Sequence, residues 1–374
     1  MLNKSVDFTL CWNGFQYNIT GAVEDFLVSE GFSTFSLISP LFKREISHRE
    51  LRLRIGKETK IVRIPSYIPV PISYIFDPLM VFLAPKSKYV ITFSSHTTLF
   101  FLLLKKFGRV KRVIQWNIDF SPRRFSNPLL NSMYNYLDKI GFKFADMQVD
   151  LNSRAASARA ARYGDTCNSH IIVPVGISKS EISPIPERNF DDKRIFFLGN
   201  LSPTVGTDIF IAAIPIILES DSDVEFHIIG DGSEMPNLMK FAQEVGAQNL
   251  TWHGNQNNSG IAKLLFSATI AVAPYPNMEK SFSNFADPSK VKNYMQFAVP
   301  MLTTNVTAIS SLLFESQVAL EISPSGADLA SKALTLLNNR ELWSSMRAAS
   351  FAMAQSTTWE EILPPLLNSI EDIQ

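Results

Sequence analysis

The sequence predicts an α/β protein made of two doubly wound domains, each a parallel sheet with helices on both faces. Three observations carry this. Short apolar runs closed by turn residues alternate with stretches of helix length in both halves of the chain, the pattern of buried parallel strands and their crossover helices. The 374 residues and 46% hydrophobic share supply two sizeable cores and exclude a disordered chain. The formal charge of zero also hides a split. Residues 1–180 hold 24 Lys and Arg against 13 Asp and Glu, and residues 181–374 hold 11 against 22, giving +11 and −11. Halves of opposite sign point to domains with different partners.

Taken in order, the first half gives strands at 6–12, 32–39, 89–94, 113–116 and 170–175. Helices are expected at 18–30, ended by Gly31, and at 127–139 and 154–163. The stretch 40–88 carries Pro65, Pro69, Pro71, Pro78 and Pro85, and reads as a long broken connection. The apolar run 99–104 is too short to cross a bilayer, which takes about 18–20 residues. The polar stretch 178–192, with Pro184 and Pro186, marks the boundary. The domains are therefore placed at 1–182 and 183–356, with a closing segment at 357–374.

The second half is more regular. Arg194–Leu198 is a strand ending in Gly199 and Asn200, and 208–218 has helix length. A strand at 224–229 ends in Gly230-Asp231-Gly232. A helix at 235–245 is closed by Gly246, and a short strand follows at 250–253. Then come a helix at 261–267, a strand at 269–273, a helix at 289–298 and a strand at 300–303. Doubly wound sheets bind ligands beyond the carboxyl ends of their strands.

Several classes are set aside. Cys11 and Cys167 alone make neither a disulfide framework nor a zinc cluster, which suits a reducing compartment. The first 30 residues lack a charged start followed by a long apolar stretch, so no signal peptide is expected. The histidines have no paired spacing, and no metal is expected. The basic segments lack interleaved aromatic platforms, so no nucleic-acid partner is expected.

The order of motifs resembles a GT-B glycosyltransferase of the retaining family 4 (group 1) type. Ala286-Asp287-Pro288-Ser289-Lys290-Val291-Lys292-Asn293-Tyr294-Met295, closing with Val299-Pro300, is similar to the donor-site segment of that family. Phe197-Leu198-Gly199-Asn200-Leu201 with Gly206, and Ile228-Ile229-Gly230-Asp231-Gly232, resemble its first two donor-domain strand ends. Thr358-Trp359-Glu360 resembles the start of a last helix that crosses back to the first domain. The stretch from Trp116 and Asp119 through Pro122, Arg124 and Tyr134 to Asp138 is similar to a less characterised surface-glycan branch. The resemblance implies two Rossmann-like domains facing a central cleft, with acceptor in the first and nucleotide sugar in the second.

It also implies roles. A nucleotide diphosphate leaving group needs cations and backbone N–H groups. Lys290, just inside a helix start, is the best phosphate ligand; the competing reading is an exposed lysine. Lys292 points elsewhere and reads as solvated. Gly199 and Gly232 let loops approach the donor, or are ordinary strand-end turns. Asn200 and Val205 stand where the family has Arg and Lys. Phe285 and Asn293 stand where it has two glutamates, and Asn293 still hydrogen-bonds a sugar. Asp287 replaces a lost carboxylate or caps the helix. His96 and Asp119, each after a strand, are the candidates for the polar group near the anomeric carbon, or are turn residues. Arg124 contacts an anionic acceptor or pins its loop. Gly14 and Gly21 shape the acceptor pocket, or Gly21 simply opens a helix. Asp221-Ser222-Asp223 matches the metal-binding D-x-D of the other glycosyltransferase fold, but it precedes a strand and reads as a solvated turn. No cofactor is expected.

Basic residues at 43–63, and Lys105, Lys106, Arg109, Lys111 and Arg112 after the apolar run, suit an anionic membrane surface; a buried helix with a charged end reads as well. The leading expectation is a glycosyltransferase at the cytoplasmic membrane face. It would use a nucleotide sugar donor and a lipid-linked or surface-glycan acceptor. Competing with it is a sugar-nucleotide-binding or scaffold subunit of a glycan-assembly complex. A nucleotide-sugar epimerase is disfavoured by the scarcity of carboxylates at 285–293.

Overall fold

The computed structural model describes residues 5–13, 19–39, 48–65, 77–118, 120–125, 127–164, 169–182, 189–278 and 282–373. The chain divides into two compact units, Met1–Pro174 with Trp359–Gln374, and Val175–Thr358.

The first unit runs β1 (Val6–Asn13), α1 (Ile19–Ser29), β2 (Thr34–Ser39), β3 (His48–Ile55) and β4 (Glu58–Pro65). A 3₁₀ turn, Asp77–Leu83, leads to β5 (Ser87–Thr92), α2 (Ser95–Lys106), β6 (Val110–Asn117) and α3 (Pro128–Phe144). The unit continues with β7 (Met147–Asp150), α4 (Ser153–Tyr163) and β8 (His170–Ile172). The sheet order is β4-β3-β2-β1-β5-β6-β7-β8. All pairs are parallel except β2–β3 and β3–β4. Phe8, Val90, Val113 and Val149 are fully buried in the strands, as a sheet covered on both faces requires.

The expected broken connection at 40–88 is corrected here. Residues 48–65 form a hairpin on the sheet edge, turning at Gly56 and Lys57 between paired Ile55 and Glu58. The alternation of Leu51 and Leu53 with Arg52 and Arg54 was its signal. Pro65 does not break the hairpin but is its last residue. Arg52 reaches Glu24 of α1 and Glu50, each at 2.7 Å.

Beneath α3 lies a charged network. Arg159 of α4 is fully buried. It meets Asp138 of α3 at 3.1 Å and Asp150 of β7 at 3.0 Å. Ser95 and Gln115 also donate to Asp138, at 2.9 and 3.0 Å. Two carboxylates and a guanidinium out of water hold together only because each has its partners.

The second unit runs β9 (Arg194–Leu198), α5 (Thr207–Ser220), β10 (Glu225–Ile229), α6 (Met235–Glu244), β11 (Leu250–Trp252), α7 (Asn258–Leu265) and β12 (Ile270–Ala273). It continues with α8 (Ser289–Gln296), β13 (Met301–Thr303), α9 (Ser310–Glu315), β14 (Ala319–Glu321), α10 (Gly326–Leu337) and α11 (Arg340–Ser356). Its order β11-β10-β9-β12-β13-β14 is wholly parallel. The direction of winding reverses between β9 and β12, which opens a crevice at their carboxyl ends. The last helix, α12 (Trp359–Glu371), belongs to the first unit and packs on α1. No helix among the described residues is long and apolar enough to cross a membrane.

Candidate functional site

The crevice of the second unit is built from the ends of β9 and β12 and from α8. Tyr294 of α8 fixes the three together. Its hydroxyl accepts from the Leu198 N–H at 2.8 Å and donates to the Val272 carbonyl at 3.1 Å. One turn earlier on the same helix, Lys290 points to the same end. It is buried, with 8% exposure, so the reading as an exposed lysine fails. Its Nζ lies 4.3 Å from the centre of the Phe197 ring and 5.0 Å from that of Tyr275. No hydrogen-bond acceptor among the described residues reaches it. Burial holds its pKa down to about 7, because an ammonium out of water without an anion is disfavoured.

Glycine keeps this end open. A Cβ at Gly199 would stand 2.8 Å from the Lys290 Nζ. At Gly230 it would overlap the Gly199 carbonyl oxygen. The loops after β9 and β10 are laced together: Gly199 N–H donates to Ile229 O at 2.9 Å, and Leu201 N–H to Asp231 O at 2.9 Å. Gly232 packs against the Leu201 backbone in the same seam. Gly206 then starts α5 on this end of the sheet. Its first amides lack partners within the helix, as all helix starts do. The arrangement of a free cation, a helix start and closely packed loops suits a phosphate group.

The other expected donor residues are placed less uniformly. Asn200 is exposed on the loop after β9, and Asn293 is half-buried on α8. Val205 is buried. Lys292 is not solvated: it is buried and pairs with Asp287 at 3.3 Å. Asp287 does not cap α8, whose N-cap is Pro288 without a side-chain bond. Its other oxygen accepts from the Val175 N–H at 2.7 Å. The pair therefore fastens the loop before α8. Asp221 is held by Lys193 at 2.6 Å and accepts from the Asp223 N–H at 3.2 Å, a turn arrangement. Phe197, Tyr275 and Tyr294 were not foreseen as site residues. Their signal was position, since two lie at strand ends and Tyr294 follows Lys290 by four.

In the first unit the winding reverses between β1 and β5. There Ser94 donates to Asn13 at 2.8 Å, just before α2, and His96 sits in the first turn of α2. Burial, then the charge of Arg124, lower the His96 pKa to about 4, so its imidazole is neutral at pH 7. Arg124 also stands 5.2 Å from the Tyr134 ring centre, and its N–H donates to Asn131 at 2.8 Å. These contacts pin its loop to α3. Gly21 is buried within the first turn of α1. Gly14 and Asp119 lie outside the described residues.

Residues 192–339 match the family model described as Glycosyl transferases group 1. The uncharacterized glycosyltransferase MJ1178 of Methanocaldococcus jannaschii is 22% identical over 207 residues, 55% of this chain and 54% of that protein. The chain thus spans about half the length of this curated relative. The structure of Anabaena Alr3699/HepE in complex with UDP is similar with a TM-score of 0.69, at 12% identity, over 98% of this chain and 99% of that one. A structure of S. aureus TarM with alpha-GlcNAc-glycerol and UDP gives 0.60, at 16% identity, over 85% of this chain and 61% of that one. At these identities the likeness to solved structures establishes the fold, which is GT-B.

Proposed function

From the premise that residues 192–339 form a group 1 glycosyltransferase domain on a GT-B fold, we propose that the chain is a glycosyltransferase. It moves a sugar from a nucleotide diphosphate sugar to a lipid-linked or surface-glycan acceptor, with retention of configuration. It works at the cytoplasmic membrane face, in peripheral contact with the lipid.

The observation that carries this is Lys290, a buried ammonium without a hydrogen-bond acceptor among the described residues, at the winding reversal of the second sheet. A diphosphate gains negative charge as the glycosidic bond breaks. A cation fixed in advance, in a poorly solvated place, stabilises that charge without reorganising. The starts of α5 and α8 add aligned N–H dipoles. No metal is assigned a step. In the acceptor unit, the neutral His96 imidazole, which can accept a hydrogen bond, and the Arg124 guanidinium are the groups assigned to the acceptor.

Calorimetric titration with UDP and UDP-sugars tests the reading, since the HepE and TarM structures hold UDP. Lys290→Ala should weaken UDP by about 10- to 100-fold, the worth of one hydrogen bond to a charged group. Absence of binding to every nucleotide sugar tried would sink the proposal. A second reading, a sugar-nucleotide-binding subunit without catalysis, is favoured by Val205 and Phe285, which stand where the resemblance implies a cation and a carboxylate. Binding without turnover would support it.

A further inference from the structure

Helix α3 is inverted relative to an ordinary surface helix. Its buried residues are Asn135, Asp138, Gly141 and Phe142. Three of the four are polar or small, and Asp138 is taken up by the Arg159 network. Phe142 is the one apolar residue turned fully inward, while Leu129 is 78% exposed, Met133 56%, Tyr136 64% and Phe144 64%. With Ile140, these positions recur at intervals of three or four, so they line one stripe of about 22 Å. Amphipathic helices normally turn that stripe to the core.

The margin of the stripe is basic. Lys139 is exposed and Lys143 half-buried on its flank. Lys105 at the end of α2 bonds Asp146 at 2.6 Å, just beyond the end of α3. The two helices thus finish side by side, and exposed Lys106 and Phe107 stand at the Phe144 end. Asp138, the one carboxylate on α3, is buried. The outward face therefore presents apolar side chains and lysines without an acid.

We propose that this face of α3 is the surface by which the protein lies on an anionic lipid bilayer. The stripe would sit at the level of the headgroups and acyl chains, with Lys106, Lys139 and Lys143 against the lipid charge. A symmetric contact between two copies fits worse, because the face holds no carboxylate to meet those lysines. The inference rests on the reading of a membrane-linked acceptor, and assigns the contact to α3 instead of to the basic segments singled out in the sequence.

The test is co-sedimentation of the purified full chain with vesicles of mixed phosphatidylglycerol and phosphatidylcholine, and with phosphatidylcholine alone. The wild type should partition to the anionic vesicles. The triple variant Met133→Ser, Tyr136→Ser, Phe144→Ser should lose at least about tenfold in partitioning. Lys139→Gln with Lys143→Gln should lose most of the preference for anionic lipid. Circular dichroism and thermal unfolding, measured on each protein, confirm that the first unit of the variants folds, and UDP binding reports on the donor site separately. Vesicle binding without UDP binding supports the surface and overturns only the donor reading. Failure of the wild type to sediment, or equal partitioning by the triple variant, overturns the proposal. So does a wild-type dimer in light scattering that the triple variant abolishes.

Discussion

The buried state of Lys290 makes ligand binding and proton binding one event. Its pKa of about 7 in the free protein means that at pH 8 about nine-tenths of the side chain is neutral. A diphosphate seated against Nζ restores the preference for the ammonium. Binding of UDP at pH 8 should therefore take up about 0.9 proton, and affinity should fall about tenfold for each pH unit above 7. Titration calorimetry at pH 8 in Tris and in HEPES reads this directly. The slope of observed enthalpy against buffer ionisation enthalpy is the number of protons exchanged. Lys290→Met should abolish the uptake. The stability of the free protein supplies an independent sign check. An unfolded lysine titrates near about 10.4, well above the folded value, so between the two the unfolded chain binds more protons. Wild-type stability should rise with pH through that window, and the Met variant should lack the rise and be the more stable protein below pH 7. A zero slope at pH 8, or uptake that survives Lys290→Met, would refute the assignment.

Two further predictions concern the scaffold. Tyr294→Phe removes the hydroxyl shared by Leu198 N–H and Val272 O, leaving two buried groups unsatisfied; urea unfolding should show a loss of about 2–4 kcal/mol, with weaker UDP binding. A loss under about 1 kcal/mol would mean that water replaces the hydroxyl. Arg159→Leu strands Asp138 and Asp150 in the interior and should cost the first unit about 3–5 kcal/mol, seen as an early thermal transition with UDP binding by the second unit retained.

The sheets were legible where periodicity was strong. Arg194–Leu198 is a run of apolar residues between breakers, and such a run has few alternatives to a buried strand. The hairpin at 48–65 was not, because five prolines spread over the surrounding stretch outweighed a short alternation. Lys290 was legible because a cation two residues after a helix-initiating proline has a restricted direction. Its neighbours were not. Whether Lys292 is solvated depends on where Asp287 goes, and Asp287 answers to Val175, more than a hundred residues away in sequence. Helical spacing gives the separation of side chains around an axis, not which arc faces the core. For α3 the apolar arc faces out because Arg159 claims Asp138 on the opposite side.

Charge counted along a chain and charge offered by a surface are different quantities, and the first unit separates them. The sequence halves carry +11 and −11. Counted by compact unit, 23 Lys and Arg stand against 17 Asp and Glu in the first, and 12 against 18 in the second. The difference comes mainly from α12, which brings Glu360, Glu361 and Glu371, with Asp372 beyond it, into the basic unit. Local pairing reduces the field further. Arg52 is shared by Glu24 and Glu50, Arg54 meets Asp25, and Lys105 and Arg112 both approach Asp146. Such pairs add little stability. Beyond a Debye length of about 8 Å, a paired cation is close to invisible to a polyanion. Attraction to a lipid surface is therefore decided where lysines border apolar area with no carboxylate beside them. That condition depends on which arc of a helix faces outward, and it is met along α3 by Lys139 and Lys143.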